Sequence, residues 1–263
     1  MTAVAITRTL AGRRFALTTR TPRELVVPLL TPMLFALVIA PALKKALHTA
    51  TSYEAYVAVG TMGLLIPLNT MFSGLSVIVD RESGARRELL AAPIRRPLIV
   101  VGNLLVALAT TGLQVAVLLA LADARGIPFD ASTTGVLWFA AVVLLFSVAM
   151  YGVAETLAAR VPRAEEYIAR VPAIAIVPWF LAGALFPITA LPVVMPWIAR
   201  FLPLTHALAL MRYGLVGDSS GLANIWRGTN VTLMASLSLL VVAAFAALLT
   251  AVSIRVFTRT AVA

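Results

Sequence analysis

Long apolar runs, each closed at both ends by charge, dominate this chain. Six stretches lack Asp, Glu, Lys and Arg altogether: Leu25–Leu43, Ala55–Val79, Pro97–Ala122, Ala131–Ala154, Val171–Ala199 and Gly228–Ile254. Each meets or approaches the ~20 residues a helix needs to cross bilayer hydrocarbon. The pattern predicts an all-α integral membrane protein with six transmembrane helices, at residues 24–43, 55–79, 97–122, 131–157, 171–187 and 229–254. A single membrane domain is expected over 1–263, with no repeat, linker or low-complexity segment.

The fifth apolar run is too long for one crossing. After Gly183 come Pro187, Pro192, Pro196 and Pro203, and no straight helix holds such a series, since each proline removes a donor and clashes with the preceding turn. The expected solution is a helix that breaks near Phe186-Pro187 and continues, over 188–212, as short segments re-entering the outer leaflet. Broken backbone at membrane depth must be covered by protein or water. Pro28, Pro32, Pro67 and Pro178 are expected to kink their helices. Gly60, Gly63, Gly74, Gly102 and Gly112 suit close helix packing.

Two polar segments break the apolar rhythm. Ala3–Arg20 carries Ile6, Leu10 and Leu17 on one helical face and Arg13, Arg14 and Arg20 elsewhere, which predicts a basic helix in the inner interface over 1–22. Residues 80–99 read DRESGARRELLAAPIRRPLI, the most charged stretch of the chain. Arg86, Arg87, Glu88 and Leu89 suit a short helix ending before Pro93, presented as a knob between the second and third spans.

Composition agrees with lipid as the main solvent. Of 263 residues 61% are hydrophobic and 12% charged, the latter about half the usual ~25%, and the mean hydropathy is +0.98. A soluble globule of this size cannot hide so much apolar surface. The net charge of +10 reads as orientation rather than nucleic-acid binding, because basic residues concentrate in cytoplasmic loops. With both termini inside, Lys44, Lys45, Arg125, Arg200, Arg212 and Arg227 lie outside and the other fifteen basic residues inside. A multi-pass protein of the cell's inner membrane is expected, with Trp138, Trp197 and Trp226 near the outer boundary. The long basic lead and long first apolar run do not fit a cleaved signal.

Several chemistries are missing. No G-x-x-x-x-G-K-[ST] occurs and the lysines are Lys44 and Lys45 alone, so no P-loop can form. Two histidines, His48 and His206, with zero cysteines leave no zinc-site pattern, and there is no G-x-S-x-G elbow. No catalytic, cofactor or metal residue is expected in this chain. The spans hold almost no ionisable group of the kind that marks ion-coupled carriers. Glu155 is expected to face the cytoplasm, and His206 to be hydrogen-bonded structure. A charge-poor passage suits an amphiphilic cargo whose driving energy comes from elsewhere.

Two motifs, at opposite ends of the span pattern, resemble the permease subunits of type-2 ABC exporters, in their multidrug or lipo-oligosaccharide branch. The inner loop matches at Glu82, Gly84, Glu88, Leu89, Pro93, Gly102 and Asn103; Ala85 and Ala92 stand where the family often has hydroxyl residues. The outer hairpin matches at Gly183, Phe186, Pro187, Leu191, Pro192, Pro203, Leu204, Thr205, His206 and Arg212. The resemblance implies two permeases, identical or related, forming a twelve-helix path above two separate ATPase subunits that bind ATP and Mg. It implies that Glu82, Gly84, Arg86, Arg87, Glu88, Leu89 and Pro93, with Arg13 and Arg14 of the N-terminal helix, couple to the ATPase. The hairpin Gly183–Arg212 would form an outer gate. Drug, glycolipid and lipo-oligosaccharide cargoes stay open, and an ion-coupled carrier or a membrane enzyme or assembly factor are the other readings.

Overall fold

The computed structural model describes residues 2–20, 26–27, 29–30, 33–39, 41–42, 52–127, 129–192 and 194–260. The expected first span, 24–43, is described only in pieces, among them a π-helical stretch Phe35–Ile39. Pro28 and Pro32, with Lys44, Lys45 and His48, lie outside the described residues.

All secondary structure among the described residues is helical. The helices are α1 (Ala3–Arg20), α2 (Ser52–Glu82), α3 (Ala85–Ala91), α4 (Pro97–Ala124), α5 (Thr133–Arg160), α6 (Ala164–Leu181), α7 (Met195–Phe201), α8 (Pro203–Val216), α9 (Ser220–Trp226) and α10 (Val231–Thr260). Four of them, α2, α4, α5 and α10, are long and apolar enough to cross a membrane. Their ends follow local chemistry. Pro97 and Pro203 open α4 and α8, where a missing N–H costs nothing. The Ser132 side chain accepts from the Gly135 N–H to cap α5, and Gly217, at φ 71°, closes α8 in the left-handed conformation glycine tolerates.

Of the four long helices, α2, α5 and α10 run one way and α4 the other. One end of the bundle gathers α1, α3, the last turns of α2, α5 and α10 and the first turn of α4; we call it the charged end. The opposite, capped end holds the starts of α2, α5 and α10 beneath the short segments from Gly183 to Trp226. α5 packs against α2, α8 and α10. The largest apolar cluster joins Met62, Leu65, Phe146, Trp179, Leu208 and Val242. Outward, Leu113, Leu137, Leu240 and Leu248 are exposed on α4, α5 and α10, a surface that water would penalise and lipid accepts.

The fifth apolar run departs from expectation. Its helix begins at Ala164, seven residues before the expected span, and ends at Leu181 rather than at Phe186-Pro187. Gly183, at φ 79°, makes the turn before the prolines are reached. The rest is a 3₁₀ turn (Ile188–Ala190), α7 and α8, and the cap continues through α9, past the expected limit at 212.

Close packing explains Gly60, Gly63, Gly74 and Gly102, where an added Cβ would clash. A Cβ at Gly60 would collide with the Ala184 carbonyl oxygen, and one at Gly102 would come within 2.9 Å of Leu10 Cβ. Gly112 meets open space, so packing does not account for it.

Candidate functional site

At the charged end, two consecutive residues of α2 tie three helices together. Asp80 accepts from Arg13 Nη2 and Arg14 Nη1, both at 3.3 Å, and Arg14 Nη1 also donates to the Ser76 carbonyl at 3.4 Å. Arg14, placed by the sequence pattern away from the apolar face, is the buried residue of α1. The reason is electrostatic: a buried guanidinium is tolerable beside a carboxylate, and its planar fork spreads the bond over several donors. Arg81 turns the other way. It donates to the carbonyls of Ala158 (3.0 Å), Val161 (2.6 Å) and Pro162 (2.8 Å), filling acceptors that the end of α5 leaves open.

Beyond this clasp, Gly84 at φ 81° reverses the chain into α3, which has two faces. Leu89, Leu90 and Ile94 pack on Ile99, Val100, Tyr151 and Phe257. Glu82, Arg87, Glu88 and Pro93 face outward, exposed. Arg86 stacks over the Phe257 ring at 5.0 Å, a cation–π contact. Burial, then repulsion from Arg81, weakens its hold on its proton, and Glu155 works against both. Arg96 Nη1 donates to the Thr258 carbonyl at 3.4 Å, so α3 and its flanks rest on the end of α10. Between α1 and α2 lies a cavity of about 270 Å3, bordered by Arg13, Arg14, Leu17, Val79, Asp80 and Ser83. Thr18, Ser76 and Ala85 complete its lining, which is mixed: the Arg13–Asp80–Arg14 cluster, three hydroxyl residues and three apolar ones.

Glu155 does not face solvent, contrary to the sequence reading. It is 0% exposed; Oε2 accepts from Tyr151 Oη at 2.8 Å, and Oε1 has no hydrogen-bond partner. Helical position alone put it near a polar boundary; the packing of α2 and α10 on α5, with Gly74 against Ala154 and Gly152 against Leu249, closes that boundary. A polar seam lies deeper, where Asn69 of α2 donates to Thr110 Oγ1 (3.4 Å) and to Thr111 Oγ1 of α4. Such side chains hold helices together in lipid.

At the capped end, the turn around Gly183 is pinned from below. Tyr56 Oη donates to the Gly183 carbonyl (2.9 Å), Tyr53 Oη to that of Leu185 (3.3 Å), and Trp179 Nε1 to that of Gly60 (2.7 Å). Arg212, counted above among the outer boundary charges, is buried. Its Nη2 donates to the Ala184 carbonyl at 2.8 Å and that of Tyr56 at 3.4 Å, with the guanidinium 3.4 Å over the Tyr56 ring. His206 Nε2 lies 2.9 Å from the Arg200 carbonyl and Nδ1 3.2 Å from Ser238 Oγ. A carbonyl only accepts, so Nε2 carries the proton and Nδ1 accepts from Ser238, whose oxygen also accepts from Trp226 Nε1 at 2.8 Å. Leu191 packs on the main apolar cluster, Thr205 is buried, and Phe186, Pro187 and Pro192 are exposed.

The structure thus brings Arg13, Arg14 and Arg86 into contact with the bundle, and leaves Glu82, Arg87, Glu88 and Pro93 displayed. The sequence reading missed Asp80, Arg81, Tyr56 and Ser238. Asp80 and Arg81 had a signal, an acid–base pair at the end of an apolar run. Tyr56 and Ser238 had none, because only the fold sets them beside Arg212 and His206. Among the described residues no three His, Asp or Glu converge as metal ligands.

Comparison with known proteins gives two findings. The family profile described as ABC-2 type transporter matches residues 6–216. Nodulation protein J of Rhizobium leguminosarum bv. trifolii is 27% identical over 168 residues, and the match spans 63% of either chain.

Proposed function

The chain belongs to the ABC-2 type transporter family, and from that premise we propose that it is the permease subunit of an ATP-driven exporter of amphiphilic or lipid-like molecules. It is a multi-pass membrane component of an ABC-2 type transporter, a family that works with an ATPase subunit. Six spans cross the inner membrane with both termini in the cytoplasm. Two permeases face each other, and two ATPase subunits grip the charged ends from below, holding ATP and Mg that this chain does not bind.

The observation that carries this reading is the two-faced α3. Its apolar face is seated on the bundle, while Glu82, Arg87, Glu88 and Pro93 are offered outward. A rigid knob of this kind transmits force: a push on the exposed face reaches α2 through Gly84 and α10 through Phe257. The Asp80 and Arg81 clasp carries the same displacement into α1 and α5. At the far end, the cap from Gly183 to Trp226 is the outer gate.

The test is co-expression with a candidate ATPase subunit and reconstitution of the pair in vesicles. ATP-dependent movement of a fluorescent phospholipid analogue or an amphiphilic dye is expected. Failure to retain any ATPase subunit would overturn the proposal. A second reading, an ion-coupled carrier, gains from the buried Glu155, since membrane-buried carboxyls commonly serve proton relays. Under it, Glu155→Gln and collapse of the ion gradient would each abolish transport with ATP present; under the exporter reading neither does.

A further inference from the structure

At the capped end, α7 turns its large side chains away from the protein. Val194, Met195, Trp197, Ile198 and Phe201 are all exposed, Phe201 by 77%, and Ala199 is the buried residue of the helix. α7 touches α6, whose Val177 and Phe180 are exposed as well. Water would penalise so large an apolar patch, and a patch of this kind with a polar rim marks a partner or a membrane surface.

The rim is basic. The guanidinium carbons of Arg200 and Arg227 lie 4.9 and 5.7 Å from the centroid of the Trp197 ring, within cation–π range. Arg200 Nε donates to the Asn224 carbonyl at 3.2 Å. Its two Nη groups, and every side-chain donor of Arg227, have no hydrogen-bond partner among the described residues, and no carboxylate there pairs with either arginine. Asp218 lies before the start of α9 and acts on Arg212; the whole of α9 separates it from Arg227. Arg227 is also held under strain. Its φ is 55°, the one positive value among the described non-glycine residues, at a helix end where glycine or asparagine is favoured. Strained backbone of this sort clusters at ligand sites.

We infer that α7 and the end of α9 form a docking surface for an anionic phospholipid of the leaflet at the capped end, with Arg200 and Arg227 receiving its phosphate and the apolar side chains of α7 its acyl chains. The two arginines supply free donors and charge, and an indole between them suits the headgroup level of a bilayer. A soluble anion would use the arginines alone and leave the apolar patch wet. A second copy meeting this face across a two-fold axis would bring the same arginines to it, adding like charge. A zwitterionic lipid carries a cation that offsets the attraction. Such a lipid fastens the cap, through α7 and α9, to the bilayer beside it. The inference needs only that the chain lies in a membrane, and it stands whether or not the cargo is an amphiphile.

The experiment places the purified full chain in nanodiscs of phosphatidylcholine and phosphatidylglycerol, with brominated acyl chains on one lipid or the other. Tryptophan fluorescence is read, and the signal of Trp197→Phe is subtracted to isolate Trp197. Quenching at Trp197 should saturate with brominated phosphatidylglycerol and favour it over brominated phosphatidylcholine. Arg200→Gln and Arg227→Gln should each cut that preference about fivefold, the worth of one basic residue at an anionic surface. Arg227→Gln carries the test if Arg200→Gln does not fold, since the Arg227 side chain makes no hydrogen bond to the described residues. Arg227→Gly relieves the backbone, so it should melt no lower than the parent and still lose the preference, a split that a purely structural arginine would not give. Arg125→Gln, at an exposed position at the end of α4, should keep the preference. Equal quenching by the two lipids, a preference untouched in Arg227→Gln, or displacement by inorganic phosphate at fixed ionic strength would each overturn the inference. So would a Trp197 that neither lipid quenches because a second copy covers α7.

Discussion

Asp80→Asn tests how α1 is held to the bundle. The Arg14 and Asp80 side chains are only 8% and 11% exposed, so their pair belongs to the buried class, where removing one partner costs about 3–5 kcal/mol. Arg13, at 38% exposure, is solvent-screened and adds under about 1 kcal/mol. Asparagine keeps one acceptor oxygen, and the Arg14 bond to the Ser76 carbonyl survives, which trims the loss. The net expectation is about 2–3 kcal/mol, close to a 100-fold change in the docked-to-undocked ratio of α1. The apolar contacts of α2, α5, α8 and α10 do not involve Asp80, so the bundle itself should stand. Hydrogen exchange followed by mass spectrometry separates the two effects. Amides of Ala3–Arg20 should exchange about 100-fold faster in the variant, with α10 unchanged. Protection of α1 within about threefold of the parent would refute the clasp as its anchor. Equal loss of protection in α10 would show that Asp80 supports the whole bundle instead.

Three further outcomes are expected. Glu88→Lys changes an exposed residue, so stability should move by less than about 0.5 kcal/mol while cargo-stimulated ATP hydrolysis by the assembled transporter falls sharply; unimpaired stimulation would remove Glu88 from the coupling surface. Gly60→Ala places a methyl group against the Ala184 carbonyl and disturbs the Trp179 bond to Gly60. It should lower thermal stability by about 1–3 kcal/mol, the range for overpacking; an unchanged melting temperature would show that the cap shifts freely. The purified chain, freed of any ATPase subunit, should hydrolyse no ATP in a phosphate-release assay, and activity following this chain through a second purification step would contradict the absence of a nucleotide site.

Sequence alone determined what depends on composition and short-range spacing. The apolar runs set four long helices at nearly the expected places, because a hydrocarbon-length helix is written in consecutive residues. The helix at Ala85–Ala91 and the stop before Pro93 were legible for the same reason, as was the replacement of one long helix by short segments after Gly183, though not the position of the break. The tertiary structure decided what depends on contact between distant residues. Burial of Glu155 requires α2 and α10 to close over α5. The early break at Leu181 answers to a glycine turn pinned by Tyr56, some 127 residues away. Arg14 and Arg212, both read from the sequence as boundary charges, are buried because Asp80 and the Tyr56 ring are brought to them. A charge in a sequence carries a sign but no dielectric, and only packing supplies the surroundings that fix what that charge can do.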